Sequence, residues 1–248
     1  MALTWQVRET FPVAVLSLSG ELTAHDLGDA EQIILDSLAA MPAALVLDAA
    51  ELTAAADDGL DRLGELAESS AKWPGVPVVL AGPEFDVTPC RRYLICVPTV
   101  AAAREALAGV VVSAREYIGL PPDPSSCGRA REFVAAACAK WGVRRSARLA
   151  ELVVSELVAN GVMHAKTPLA VTVRRQDAGI EISVRDDNPV MPSDSSGDPR
   201  GFGLQLVGAL SEDWGIARTG RGKVVWTKLT GVGSKEGAPE GGRLSQLT

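Results

Sequence analysis

The stretch "AELVVSELVANGVMHA", residues 150–165, sets Glu156, Asn160 and His164 at steps of four. In an α-helix such steps keep side chains on one slowly drifting face. Leu149, Val153 and Leu157 run alongside as an apolar stripe suited to docking on a sheet. Taken alone the pattern is ambiguous, because an amphipathic helix with a solvated polar edge has the same spacing.

Two features further along change its weight. "SVRDDNP" ends an alternating segment with Asp186, which puts a carboxylate where the chain leaves a strand and where it can accept a hydrogen bond from an exocyclic amine. "DPRGFGLQLV" sets Gly201 and Gly203 just before a helical segment. Glycines there let backbone N–H groups approach phosphate, and a helix N-terminus favours negative charge. A plain turn before a helix would explain the glycines alone, but the three features in this order are far more specific.

Together these residues resemble the ATP-binding domain shared by anti-sigma factor serine kinases, histidine kinases, DNA gyrase and MutL, the GHKL or Bergerat fold. The resemblance is closest to the anti-sigma regulatory kinases, notably their actinobacterial members. "LVVSELVANGVMHA" is similar to the "VSELVTNAVRHA" type of box, "VRDDNP" to the first glycine box, "RGFGLQLV…LSEDWG" to the second, and "GRGKVVW" to the last strand. The resemblance implies that Asn160 ligates Mg²⁺ beside ATP and that Glu156 is the catalytic base or water-orienting group of phosphoryl transfer. It implies that Asp186 reads the adenine amino group and that Gly201 and Gly203 frame a lid over the phosphates. Arg200 is a candidate phosphate contact, with an ordinary solvated arginine as the other reading, and His164 is read as helix-end structure. Two departures stand out: Asn188 and Pro189 replace the usual glycine after Asp186, and Val224 stands where a threonine hydroxyl is expected near adenine. Asn tolerates a left-handed turn, and one lost hydrogen bond costs about 0.5–1.5 kcal/mol.

The first half reads differently. "PVAVLSLS" (12–19) alternates as a strand, "AALVLD" (43–48) and "VPVVLAG" (76–82) are short apolar runs typical of buried strands, and helical spacing spans residues 57–71 and 99–109. Strands alternating with helices predict an α/β unit. "VAVLSLSGELTAHDLGDAEQIILDSL" and "ALVLDAAELTAAADDGL" resemble the STAS domain of anti-sigma factor antagonists, whose second motif reads "VVLDLSGVTFLDSSGL". In that family the second Ser of D-S-S-G accepts phosphate from a partner kinase. The aligned residues here are Ala56, Asp57, Asp58 and Gly59, so Asp58 holds the phosphoacceptor position. Two readings stand: a built-in charge imitating phosphoserine, or an acidic pair that caps the helix, with Asp57 as N-cap.

Composition bounds the rest. The 248 residues are 47% apolar and 22% charged, enough for one large or two ordinary domains. Net charge is −7, with 7 Lys+Arg against 17 Asp+Glu in residues 1–118. An acidic first half argues against DNA as a direct partner. No stretch approaches the ~18 apolar residues of a membrane helix, and the start "MALTWQVRETF" lacks the pattern of a secretory leader. Four cysteines without a metal-binding spacing suit a reducing, cytoplasmic setting.

The expected architecture is therefore a STAS-like sheet-and-helix domain over residues 1–115, a linker over 116–126 with Cys127 beside it as either an incidental cysteine or an exposed thiol, a GHKL two-layer α/β sandwich over 127–231, and a disordered tail over 232–248. The resemblance implies an ATP- and Mg²⁺-dependent protein-serine kinase of the anti-sigma type, acting in partner switching that controls transcription. Its implied partners are a separate STAS antagonist, a sigma factor, or both. Kinases of this branch often pair, which admits a homodimer, and the fusion implies an intramolecular contact between the STAS and kinase halves. The alternative is a non-catalytic ATP-binding or docking module in the same pathway.

Overall fold

The computed structural model describes residues 2–83, 93–110, 112–177, 179–191 and 202–230. It divides the chain into two compact units, Met1–Val112 and Ser113–Thr248. Both combine helices with a five-stranded sheet, which is the expected α/β class.

In the first unit the chain runs β1 (Thr4–Glu9), β2 (Val13–Leu22), α1 (Leu27–Ala39), β3 (Ala44–Ala55), α2 (Asp57–Lys72), β4 (Val78–Ala81), β5 (Leu94–Val97) and α3 (Val100–Ala106). The sheet order is β1-β2-β3-β4-β5; β1 is antiparallel to β2 and the other pairs are parallel. Parallel strands need crossover helices, and such a sheet buries both faces, which is why β3 and β4 read as apolar runs rather than alternations. Leu16, Leu18, Leu45 and Leu47 pack with Leu27, Ile34, Leu60 and Leu63 of α1 and α2. On the other face, Val15, Val46, Val79 and Ala81 pack with Ala103 of α3. Each such buried Leu, Ile or Val side chain contributes about 1.5–3 kcal/mol. The fully exposed β1 and the short edge strand β5 carry no comparable pattern and escaped the sequence reading.

The second unit runs β6 (Arg115–Leu120), α4 (Ser126–Trp141), α5 (Ala147–Asn160), a π-helical turn (Gly161–Ala165), β7 (Leu169–Gln176), β8 (Gly179–Asp186), α6 (Phe202–Leu210), β9 (Asp213–Arg218) and β10 (Lys223–Thr230). Its sheet, ordered β6-β7-β8-β10-β9, is antiparallel throughout. One face carries Val171, Val173, Ile180, Ile182, Val184 and Leu229 against Val134 of α4, Val153, Val154 and Leu157 of α5, and Val207 of α6. The opposite face carries Thr172, Arg174, Glu181 and Ser183 among others, with Arg174 and Gln176 both donating to Glu181 Oε2, at 2.6 and 2.7 Å. Helices cover one face of the sheet, which makes the two layers expected for the sandwich.

The linker expectation needs correction. Residues 115–120 pair with β7 as an edge strand, and Ser126 opens α4, so only Pro121–Ser125 remains a connecting turn. Pro121, Pro122 and Pro124 mark a tight turn inside the unit, where prolines were read as an interdomain boundary. Cys127 accordingly lies in α4, half-buried against the core, and burial pushes the Cys138 thiol up, with Glu151 adding to the effect. The tail expected over 232–248 lies outside the described residues.

Candidate functional site

The α-helix of α5 ends at Asn160, whereas the four-residue steps through His164 imply regular α-helix to that residue. The following turn is widened to π form and closed by Lys166 N–H donating to Gly161 O at 3.2 Å. A Cβ at Gly161 would meet Leu169 Cδ2 at 2.7 Å, so a larger residue there would force the Leu169 side chain or the turn to shift. π-Turns of this kind gather at functional sites.

Glu156 and Asn160 are half-buried, and neither makes a hydrogen bond or ion pair among the described residues. Both face Gly203, in the first turn of α6. A methyl group at Gly203 would lie 3.0 Å from Glu156 Oε2, 3.2 Å from Asn160 Nδ2 and 3.4 Å from Asn160 Oδ1. A carboxylate and an amide without partners among the described residues thus meet a helix start at Gly203, where an added Cβ would press on both side chains. Gly201 and Arg200, the other two candidates in this segment, lie outside the described residues. His164 is exposed; its backbone oxygen accepts from Asn188 Nδ2 at 3.2 Å, which ties the π-turn to the end of β8.

Asp186 closes β8 and is buried. Its Oδ1 accepts from Lys223 Nζ at 2.9 Å and from the Asn188 N–H at 2.9 Å. Lys223 Nζ also donates to Asn188 O at 3.0 Å. Asn188 in turn accepts the Val190 N–H on Oδ1 at 2.9 Å. These are two successive side-chain-to-backbone turns, the local alternative that Asp and Asn offer to regular structure. The turn without glycine is therefore held by those bonds; Asn188 is not left-handed, as Met41 and Lys166 are the non-glycine residues with positive φ.

The register also relocates the second departure. Lys223 pairs directly with Asp186, and Val224 with Arg185. Paired residues share a face and successive residues alternate, so Lys223 lies on the helix-covered face with Asp186, while Val224 is buried on the other. The residue beside the proposed base-reading carboxylate is a lysine, and the sequence reading missed it. The signal was available: two opposite charges at the ends of strands that an antiparallel pairing brings together.

In the first unit, Asp57 and Asp58 are the first two residues of α2 and are exposed. The N-cap is Ala56, with no side-chain capping bond, so Asp57 does not cap as expected. Gly59 is buried because the helix start sits on the end of β2: a methyl there would lie 2.8 Å from Leu22 O, which already accepts the Ala56 N–H at 2.8 Å. Among the described residues there is no cluster of three or more His, Cys, Asp or Glu that could hold a metal, and no helix long and apolar enough to cross a membrane.

Residues 120–229 match the family model of the histidine kinase-like ATPase domain. Among solved structures the chain is similar to an anti-sigma factor antagonist from Mycobacterium paratuberculosis, at 29% identity and a TM-score of 0.38 over 43% of this chain and 95% of that one. It is also similar to the anti-sigma factor antagonist SpoIIAA in its unphosphorylated form, at 18% identity and a TM-score of 0.34 over 44% of this chain and all of that one. No curated protein matches significantly. Residues 120–229 are thus a histidine kinase-like ATPase domain, preceded in the chain by a separate unit of helices on a mixed five-stranded sheet.

Proposed function

We propose that the chain is an ATP-dependent regulatory protein-serine kinase of the anti-sigma type, acting in partner switching on a separate STAS antagonist. The observation that carries this reading is the unpartnered Glu156–Asn160 pair against Gly203 at the start of α6. A carboxylate and an amide without partners among the described residues, at a helix N-terminus, suit an anionic ligand and its counter-cation. They fit Mg²⁺ in particular, which keeps water and phosphate oxygens and needs few protein ligands. Asn160 Oδ1 would hold the ion, which supplies neutralisation of phosphate charge when bound. Glu156 would take the proton of a serine hydroxyl as its oxygen bonds the γ-phosphorus and the bond to the β–γ bridging oxygen breaks, leaving ADP. Asp186 would accept from the adenine amine, and Arg200 and Gly201 remain proposed contacts to the phosphates.

Asp58 cannot accept phosphate as a serine does, so the substrate hydroxyl belongs to another protein. With its exposed charge at the phosphoacceptor position, the STAS-like unit takes the role of a docking surface, for an antagonist, a sigma factor or its own kinase half. Incubation with γ-labelled ATP, Mg²⁺ and a panel of STAS proteins bearing an intact serine tests the reading. Transfer abolished by Glu156→Ala, with ATP binding retained, is the expected result. ATP binding without transfer to any of the panel would leave the non-catalytic docking module as the better account.

A further inference from the structure

We propose that Lys223 determines which base the nucleotide site accepts. The inference rests on the reading of Asp186 as the base-contacting carboxylate and deepens it. Side-chain exposure is 8% for Lys223 and 6% for Asp186, and their 2.9 Å pair sits at the end of the antiparallel β8–β10 ladder. Buried carboxylates need partners, and the partners fix their orientation. Oδ1 is engaged by Lys223 Nζ and the Asn188 N–H, so Oδ2 is the oxygen presented to a ligand.

The ammonium has three N–H groups. Two are directed to Asp186 Oδ1 and Asn188 O, and the third has no acceptor among the described residues. The pair therefore offers one acceptor and one donor, side by side, in an order set by strand register. Adenine shows the complement on its pairing edge, an exocyclic N–H beside a ring nitrogen that accepts. Hypoxanthine shows the reverse, a carbonyl oxygen beside a ring N–H. A base of the wrong order leaves a buried donor and a buried acceptor unsatisfied, the strongest form of discrimination a site can make. Lys223 acts in this as a specificity residue, and by holding Asp186 as a positioning residue.

The test is calorimetry on the full chain with MgATP and MgITP. Wild type should prefer ATP by roughly a hundredfold, the effect of two mismatched hydrogen bonds to buried groups. Lys223→Met should collapse that preference to about threefold, through weaker ATP binding rather than tighter ITP binding, and Lys223→Arg should restore part of it by returning a cationic donor. Because Lys223→Met leaves Asp186 alone in the interior, the neutral double variant Asp186→Asn/Lys223→Met is run beside it, with thermal melts of both; it too should lose the preference. A preference unchanged in the folded double variant overturns the inference. Equal affinity of wild type for ATP and ITP also overturns it, while leaving triphosphate binding intact. Binding of neither nucleotide by wild type overturns the inference together with the reading beneath it.

Discussion

Each unit places an aspartate where the chain leaves a strand, and treats it in opposite ways. Asp58, just after β3, is exposed in the first turn of α2 and makes no hydrogen bond or ion pair among the described residues. The cation one turn on, Arg62, is committed to Glu31 at 2.7 Å and Glu65 at 2.7 Å. Asp186, at the end of β8, is buried and held by Lys223 and the Asn188 N–H. Water supports the first charge, so its direction is free and it can meet a partner's surface. The second is removed from water, which is tolerable only with fixed partners, and fixed partners give it a fixed direction. One suits a docking surface and the other a small-molecule pocket.

The sharpest way to break that contrast is at the pocket. Asn160→Ala should weaken MgATP binding roughly a hundredfold, at the upper end of effects seen on metal affinity. Glu156→Ala should leave binding nearly unchanged and lower phosphoryl transfer by about 10²–10⁴-fold, the usual contribution of a positioned base. Calorimetry and single-turnover transfer separate the two, and equal ATP affinity in Asn160→Ala would sink the metal assignment.

Next in size is the buried pair itself. Lys223→Met should destabilise the second unit by about 3–5 kcal/mol, because it strands a carboxylate in the interior. The neutral double variant with Asp186→Asn should recover most of that loss. Urea denaturation followed by tryptophan fluorescence checks both, since Trp214 and Trp226 lie in β9 and β10. A double variant as unstable as the single one would mean that packing, not charge, holds this end of the sheet.

How much of this was legible follows the same division. The apolar runs of β3 and β4 and the helical spacing of α2, α3 and α5 announced themselves because burial imposes a period on sequence. β1, β5, β6 and β9 did not, since edge strands bury little and carry weak patterns. The four-residue spacing of Glu156 and Asn160 marked their face of α5, but their approach to Gly203 depends on α6 folding back. Lys223 was hidden for a similar reason: it lies 37 residues from Asp186, and only register makes them neighbours. Asp57 was misread as a cap because an aspartate at a helix start is a good candidate; the backbone turns one residue earlier, at Ala56.

The exposed side of the contrast predicts smaller effects, and its backbone should matter more than its charge. Gly59→Ala places a methyl 2.8 Å from Leu22 O, a backbone atom fixed by β2, so α2 must shift. Overpacking of this kind costs about 1–3 kcal/mol. Thermal unfolding of the first unit should detect it, and an unchanged midpoint would show that the helix start can slide on β2.

Asp58→Asn should be smaller still. The carboxylate interacts with the positive end of α2 without a capping bond, which is worth about 0.3–1 kcal/mol at low ionic strength. The amide keeps the shape and removes the charge, so the loss should shrink as salt rises toward 1 M, where screening acts within about 3 Å. A loss that persists at high salt would point to a hydrogen bond in place of a field effect, and would move Asp58 toward the bonded class that Asp186 represents. Asp58→Ser should cost a similar amount but adds a hydroxyl at the position proposed to correspond to a phosphoacceptor. If the first unit docks on the kinase site as proposed, labelled phosphate should appear on that serine when the chain is incubated with ATP and Mg²⁺, and should disappear with Glu156→Ala. Absence of label in a chain that phosphorylates a separate STAS protein would mean that its own first unit is not presented to that site, and that the exposed charge serves a different partner.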